Sequence, residues 1–149
     1  MIRLIVRIDI KNNFLVKGVN LEGLRVLGPL DTFTECYAKE NIDEIYLTDT
    51  VASLFNRDHL LNYVKKTTKK LKIPITISGG VRKISDIEDL LNAGADKVCI
   101  NSEAVRNKKF LIEAVAKFGS STITAGIDAK QNNKGTFECF IDNGRERSG

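Results

Sequence analysis

Apolar positions in this chain gather into five short runs, at 2–9, 44–49, 73–78, 96–101 and 122–128. Between them, near 30–41, 57–71, 84–93 and 107–118, apolar residues recur every three to four positions. The runs are Ile/Val-rich and almost continuous, as in ITI at 75–77 and KVCI at 97–100, the pattern of strands covered on both faces. Strands alternating with amphipathic helices predict an α/β fold with a parallel sheet and helical crossovers. Within 84–93, Ser85 precedes DIEDLLNAG, which puts Ile87, Leu90 and Leu91 on one face and Gly94 just beyond the helix end. The strand–helix unit repeats without a linker, so residues 1–149 read as one domain.

Two stretches depart from the repeat. Residues 10–29, rich in Gly and Asn and carrying Lys17, form a long connection after the first strand, and connections of that length are functional or disordered. Lys17 is there either a mobile charge partner or a solvated loop lysine. Near the other terminus TFECFIDNG, at 136–144, reads as a hairpin. Four strand–helix units and a fifth strand do not close an eight-stranded barrel, which leaves half of a larger barrel or a small open sheet.

Three of the strands run into an aspartate: IVRIDIK at 5–11, EIYLTDT at 44–50 and TAGIDAK at 124–130 bring Asp9, Asp49 and Asp128 to strand ends. The rim where strands end is where α/β proteins keep their chemistry, so the repetition points to an enzyme. A turn-forming or helix-capping role is the other reading of each. Two further loops suit an anion. ISGGVRK at 77–83 sets Gly79 and Gly80 between strand and helix, and INSEAV at 100–105 adds the side-chain donors Asn101 and Ser102. Neither a dinucleotide-binding GxGxxG nor a P-loop is present. His59, the single histidine, falls in a first helical turn and is not assigned to catalysis.

Composition narrows the class. The chain is 42% hydrophobic and 28% charged, as globular sequences are. Its net charge of +4 comes from lysines on helical surfaces, as in YVKKTTKKLK at 63–72, with little aromatic interleaving, so no nucleic-acid partner is expected. No apolar run approaches the roughly 18 residues of a membrane span and no signal peptide is evident, which predicts a cytoplasmic protein. Cys36, Cys99 and Cys139 are odd in number and lack CxxC spacing, which argues against disulfides and zinc; no metal and no cofactor is expected.

The succession IDIK, LVKGVNLEGLR, DEIYLTD, ITISGGVRKISDIEDLLNAGADKVCINSEAV and FGSSTITAGIDAK resembles the N-terminal half of the HisF family, the cyclase subunits of imidazole glycerol phosphate synthase. The resemblance covers essentially the whole chain. It implies a (βα)8 TIM barrel of the ribulose-phosphate-binding type, here as four βα units plus strand five, and an ammonia-dependent lyase acting on the histidine-pathway intermediate PRFAR. By that resemblance Asp9 and Asp128 are the acid–base pair and Lys17 the lysine of a mobile loop. Asp49 contacts substrate, Gly80, Asn101 and Ser102 hold one of its phosphates, and Arg3, Glu44 and Lys97 form three of four gate positions for ammonia. A glutaminase subunit of the HisH type is the implied partner. Arg7, where family members usually carry a cysteine, and Ser78, in place of the first glycine of a GGG run, depart from the pattern. So do NLEGLRVLG, DTVASLFNRDHLL and DNGRERSG, which look more like HisF-like amidotransferase subunits acting on nucleotide sugars. A phosphosugar isomerase of the same pathway is a further alternative.

Overall fold

The computed structural model describes residues 2–19, 23–52 and 58–148. Its main sheet joins β1 (Ile5–Lys11), β2 (Phe14–Val19), β3 (Gly23–Pro29), β4 (Glu44–Asp49), β5 (Ile75–Ser78), β6 (Lys97–Ile100) and β7 (Ile123–Ala125) in the order β3-β2-β1-β4-β5-β6-β7. The five strands β1, β4, β5, β6 and β7 are parallel neighbours in sequence order. Helices α1 (Leu30–Ala38), α2 (Asp58–Thr68) and α3 (Ile84–Asn92), then α4 (Ser102–Arg106) with α5 (Lys108–Phe118), make the four crossovers. This is the α/β succession of four βα units and a fifth strand that the apolar pattern predicts.

The two faces of the sheet differ. Ile8, Ile10, Ile45, Leu47, Ile75, Ile77, Val98, Ile100 and Ile123 alternate along the strands and form, with Leu60, Val64, Ile87, Leu90, Phe110 and Ala114 of the helices, one aliphatic core. Each strand residue between them faces the other way. That second face is polar: register aligns Arg7 with Tyr46, Tyr46 with Thr76 and Thr76 with Lys97, and the next row runs Asp9, Thr48, Ser78, Cys99, Thr124. The sheet is therefore not the two-faced apolar layer expected from ITI and KVCI. Short strands of Ile-Thr-Ile type read as continuous apolar runs although they alternate.

Residues 10–29 differ from expectation too. Most of them form the antiparallel meander β1–β2–β3, and Lys17 sits in β2 opposite Arg25. In α3 the cap is Lys83, two residues earlier than Ser85, and the Asp86 carboxylate accepts from the amides of Arg82 and Lys83, both at 2.8 Å, satisfying N–H groups that the helix leaves unpaired. Gly94 follows the Ala93 cap, as the sequence predicts.

The fifth apolar run breaks in two. β7 stops at Ala125 and β8 (Asp128–Gln131) opens a second, antiparallel sheet with β9 (Phe137–Ile141) and β10 (Glu146–Arg147). A Cβ on Gly126 would meet Cys99 Sγ at 2.9 Å, so the chain crosses β6 there only without a side chain. Asp128 consequently opens a strand rather than ending one. The hairpin expected at 136–144 is present as β9–β10.

Candidate functional site

The ends of the parallel strands carry two distinct polar clusters. Where the strands finish, two adjoining cavities open over the polar face. One, of about 100 Å³, is lined by Gly79 and Gly80 after β5, Asn101 and Ser102 after β6, and Thr48 and Asp142. The other, of about 80 Å³, holds Asp9 together with Gly18, Thr50 and Arg145, and both cavities share Arg7, Asp128 and Asn143.

Strand alternation puts Arg7 and Asp9 side by side on the polar face, and Arg7 Nε donates to Asp9 Oδ1 at 2.9 Å. The guanidinium lies 5.9 Å from the centre of the Tyr46 ring. Burial alone would lower the Arg7 pKa, but the hydrogen bond and charge of Asp9, with Tyr46 and Asp128 adding to them, raise it. Arg7 is thus a fixed cation among the rim carboxylates. Its ion-pair partner is Asp9.

Asp128 accepts from Asn101 Nδ2 at 2.8 Å, which joins the strand-five carboxylate to the loop after β6. Two buried polar atoms facing this region, Thr48 Oγ1 and Asn101 Oδ1, have no hydrogen-bond partner among the described residues. Such atoms cost free energy unless something satisfies them, and both belong to residues lining the larger cavity. Tyr46 is pushed up to about 12, by burial first and then by Cys99, and burial likewise raises the Cys99 thiol. Both stay protonated at neutral pH.

The glycine pair is required by space. At Gly79, with φ +123°, a Cβ would lie 2.6 Å from Asp49 O; at Gly80, with φ +61°, it would lie 2.8 Å from Ala52 O. The loop after β5 therefore packs directly on the turn after β4. Asp49 takes part in that turn: it ends β4 and its Oδ1 accepts from Val51 N at 2.9 Å, the Asx geometry of a turn former. Asp49 does not line either of the two cavities. Lys17 is exposed and outside both, although its neighbour Gly18 lines the smaller one. His59 lies in the first turn of α2, and its side chain falls outside the described residues.

The second cluster sits where the strands begin. Glu44 opens β4 and Lys97 opens β6, while Arg3 precedes β1 by two residues. Arg3 Nη2 and Lys97 Nζ reach the same Glu44 oxygen at 2.7 and 2.8 Å, and Thr76 donates to the other oxygen. The Glu44 side chain is only 3% exposed. Burial opposes its ionisation, yet the hydrogen bonds from Lys97 and Thr76, with the charges of Lys97 and Arg3, hold its carboxyl below the ordinary range. All three gate positions named from the sequence thus meet in one network.

Sequence reasoning missed Thr48, Tyr46, Arg106 and Asp142, all of which line the larger cavity. The strand register that places the first two is long-range, but Ser102 and Arg106 carry a local signal, an i, i+4 spacing that sets both on one helix face. Among the described residues no group of three or more His, Cys, Asp and Glu could hold a metal ion, and no helix is long and apolar enough to cross a membrane.

A family model described as "Histidine biosynthesis protein" matches residues 3–149. The chain is similar to the imidazole glycerol phosphate synthase subunit HisF of Legionella pneumophila, 45% identical over 148 residues that make up 99% of this chain and 70% of that protein. It is also similar to the HisF subunits of Campylobacter concisus, at 43% identity over 96% of this chain, and of Lactococcus lactis, at 39% over 99%. The chain spans 57% of the length of each of these two. With its rim cavities at one end of five parallel strands and a buried ion-pair network at the other, the chain belongs to the histidine biosynthesis protein family, among relatives named HisF.

Proposed function

We propose that the chain supplies the first half of the barrel of a cytoplasmic, ammonia-using lyase of the imidazole glycerol phosphate synthase type, acting on PRFAR. The observation that carries this reading is the division of charge between the two ends of one parallel sheet. At the rim, Asp9 and Asp128 line one cavity beside Arg7. Addition of ammonia followed by ring closure needs protons taken from one atom and given to another, which two separately held carboxylates can do. Asp9 is anchored by Arg7 and Asp128 by Asn101, so each has its own orienting partner. Gly80, Asn101 and Ser102 would hold a substrate phosphate in the adjoining cavity, and Lys17 and Asp49 would contribute only after moving from their present places.

At the opposite end, the Arg3–Glu44–Lys97 network would act as the closed ammonia gate, facing a glutaminase subunit. A neutral ammonia molecule passes only if one of these ion pairs opens. The test is ammonia-driven turnover of PRFAR at alkaline pH by the chain completed with the C-terminal half-barrel of a relative. Turnover that disappears in Asp9→Asn and in Asp128→Asn supports the assignment. A folded, phosphate-binding sample that turns over no PRFAR refutes it.

Arg7 favours a second reading of the substrate. A guanidinium beside the reacting carboxylates suits an anionic group near the reaction centre, as in a nucleotide sugar taken by an amidotransferase subunit. PRFAR and a nucleotide sugar offered in parallel separate the two.

A further inference from the structure

The proposed phosphate seat has a cation that none of its assigned ligands supplies. Gly80, Asn101 and Ser102 offer only neutral donors, whereas a phosphate carries up to two negative charges. Ser102 and Arg106 are four residues apart in α4, hence on one face, and both line the cavity that also holds Gly79 and Gly80. Arg106 is at present occupied. Its Nη2 lies 2.6 Å from Asp142 Oδ2 and 3.5 Å from Glu146 Oε2. Asp142 N donates to Ser102 Oγ at 2.9 Å, and Asn143 Nδ2 donates to Thr50 O at 2.6 Å. The β9–β10 turn is thereby fastened across the seat, with a carboxylate of this chain against one of the three arginines, Arg7, Arg82 and Arg106, that line the cavity.

We propose that Arg106 is a phosphate ligand of this seat and that Asp142 is its resident counter-anion, which the phosphate of the substrate replaces. The inference rests on the phosphate reading of Gly80, Asn101 and Ser102 and adds to it the charged ligand and its built-in competitor. The geometry is suited to exchange. Arg106 is 41% exposed and can turn without unburying core. Ser102 Oγ, while accepting from Asp142 N, retains its own proton for a phosphate oxygen. The guanidinium fork meets a phosphate in the same bidentate way as a carboxylate. A dianion displaces a monoanion at low cost because the cation stays paired throughout.

The experiment is titration of the full chain with inorganic phosphate, followed by calorimetry and by the amide resonance of Asp142, in wild type, Asp142→Asn and Arg106→Gln. Removing the competing charge should tighten phosphate binding by about five- to tenfold, and removing the cation should weaken it by at least about tenfold. The double variant should behave like Arg106→Gln alone, and the Asp142 amide should shift during the wild-type titration as its carboxylate leaves Arg106. The Arg106 side chain is 41% and that of Asp142 21% exposed, and an unchanged far-ultraviolet spectrum excludes unfolding as the cause. Phosphate binding that depends on Gly80 but is equal in all three proteins would overturn the role of Arg106 and Asp142 while leaving the seat. No phosphate binding by wild type would overturn the seat itself and the inference with it.

Discussion

The two ends of the parallel sheet put polar side chains on the same face and treat them in opposite ways. Where the strands begin, Glu44 is almost fully buried and each oxygen is taken, one by Arg3 and Lys97, the other by Thr76. Where they end, Thr48 Oγ1 and Asn101 Oδ1 are buried with nothing to satisfy them among the described residues, and the Asp9 side chain is 29% exposed beside its ion pair with Arg7. A saturated network is complete without a ligand; an unsatisfied one is not. The first end is thus expected to answer to substitution in stability, the second in binding and turnover.

The largest effect should be at the rim. Replacing Asp9 or Asp128 by Asn keeps shape and removes the proton acceptor, and ammonia-driven turnover should fall by about 10²- to 10⁴-fold. Urea midpoints should move little, because neither carboxylate is deeply buried. A rim variant that unfolds the chain and spares turnover would reverse the comparison.

Next in size is Glu44→Ala. Truncating one member of a buried, hydrogen-bonded charge cluster leaves Lys97 and Thr76 without their acceptor. Because Arg3 is half exposed and Lys97 27% exposed, solvent recovers part of the loss, and the cost should be about 2–4 kcal/mol by urea denaturation. A change below about 0.5 kcal/mol would mean that the network is no more than a surface ion pair.

Acid sharpens the same contrast. Glu44 is held below its ordinary value of 4.5, so the unfolded chain takes up a proton before the folded one does. Its contribution is complete above that unfolded value and is lost as pH falls through the lower folded value. The stability gap between wild type and Glu44→Gln should therefore narrow steadily below about pH 4.5. Asp142, lowered chiefly by its hydrogen bond to Arg106, follows the same sign at the rim, with a smaller amplitude because Arg106 is 41% exposed. A gap that stays constant with pH would show that Glu44 acts through packing rather than charge.

How much of this was legible depended on the range of the interaction. The strands were plain in the sequence as apolar runs, but their alternation was not, because in Ile75–Ile77 a single threonine separates the aliphatic residues of the core. Arg3, Glu44 and Lys97 were singled out through family wording alone, since nothing local announces that side chains from three separate segments converge on one carboxylate. Meander strand β3 was missed because its residues are mostly exposed, so burial stamped no alternation on them. Asp128 was placed one strand too early because the break before it is set by Gly126 against Cys99, a contact between residues 27 apart. Asp49, a substrate contact by family resemblance, accepts from Val51 N in the turn after β4, an interaction local enough to be read from the sequence.

The finest test uses two threonines on the same inward face. Thr76 Oγ1 is bonded to Glu44, and Thr48 Oγ1 is orphaned one strand away. Valine has nearly the same shape and lacks the hydroxyl. At position 76 it should cost about 1–2 kcal/mol, because the buried Glu44 oxygen loses its donor. At position 48 it removes a buried polar atom that bonds to nothing, so stability should be unchanged or rise by up to about 1 kcal/mol, with any loss appearing in substrate affinity. Equal destabilisation by both would mean that Thr48 is satisfied within the chain, and the rim would then resemble the end it is contrasted with. Opposite signs would place the orphaned hydroxyl among the groups kept for a ligand, since the fold alone gains nothing from it.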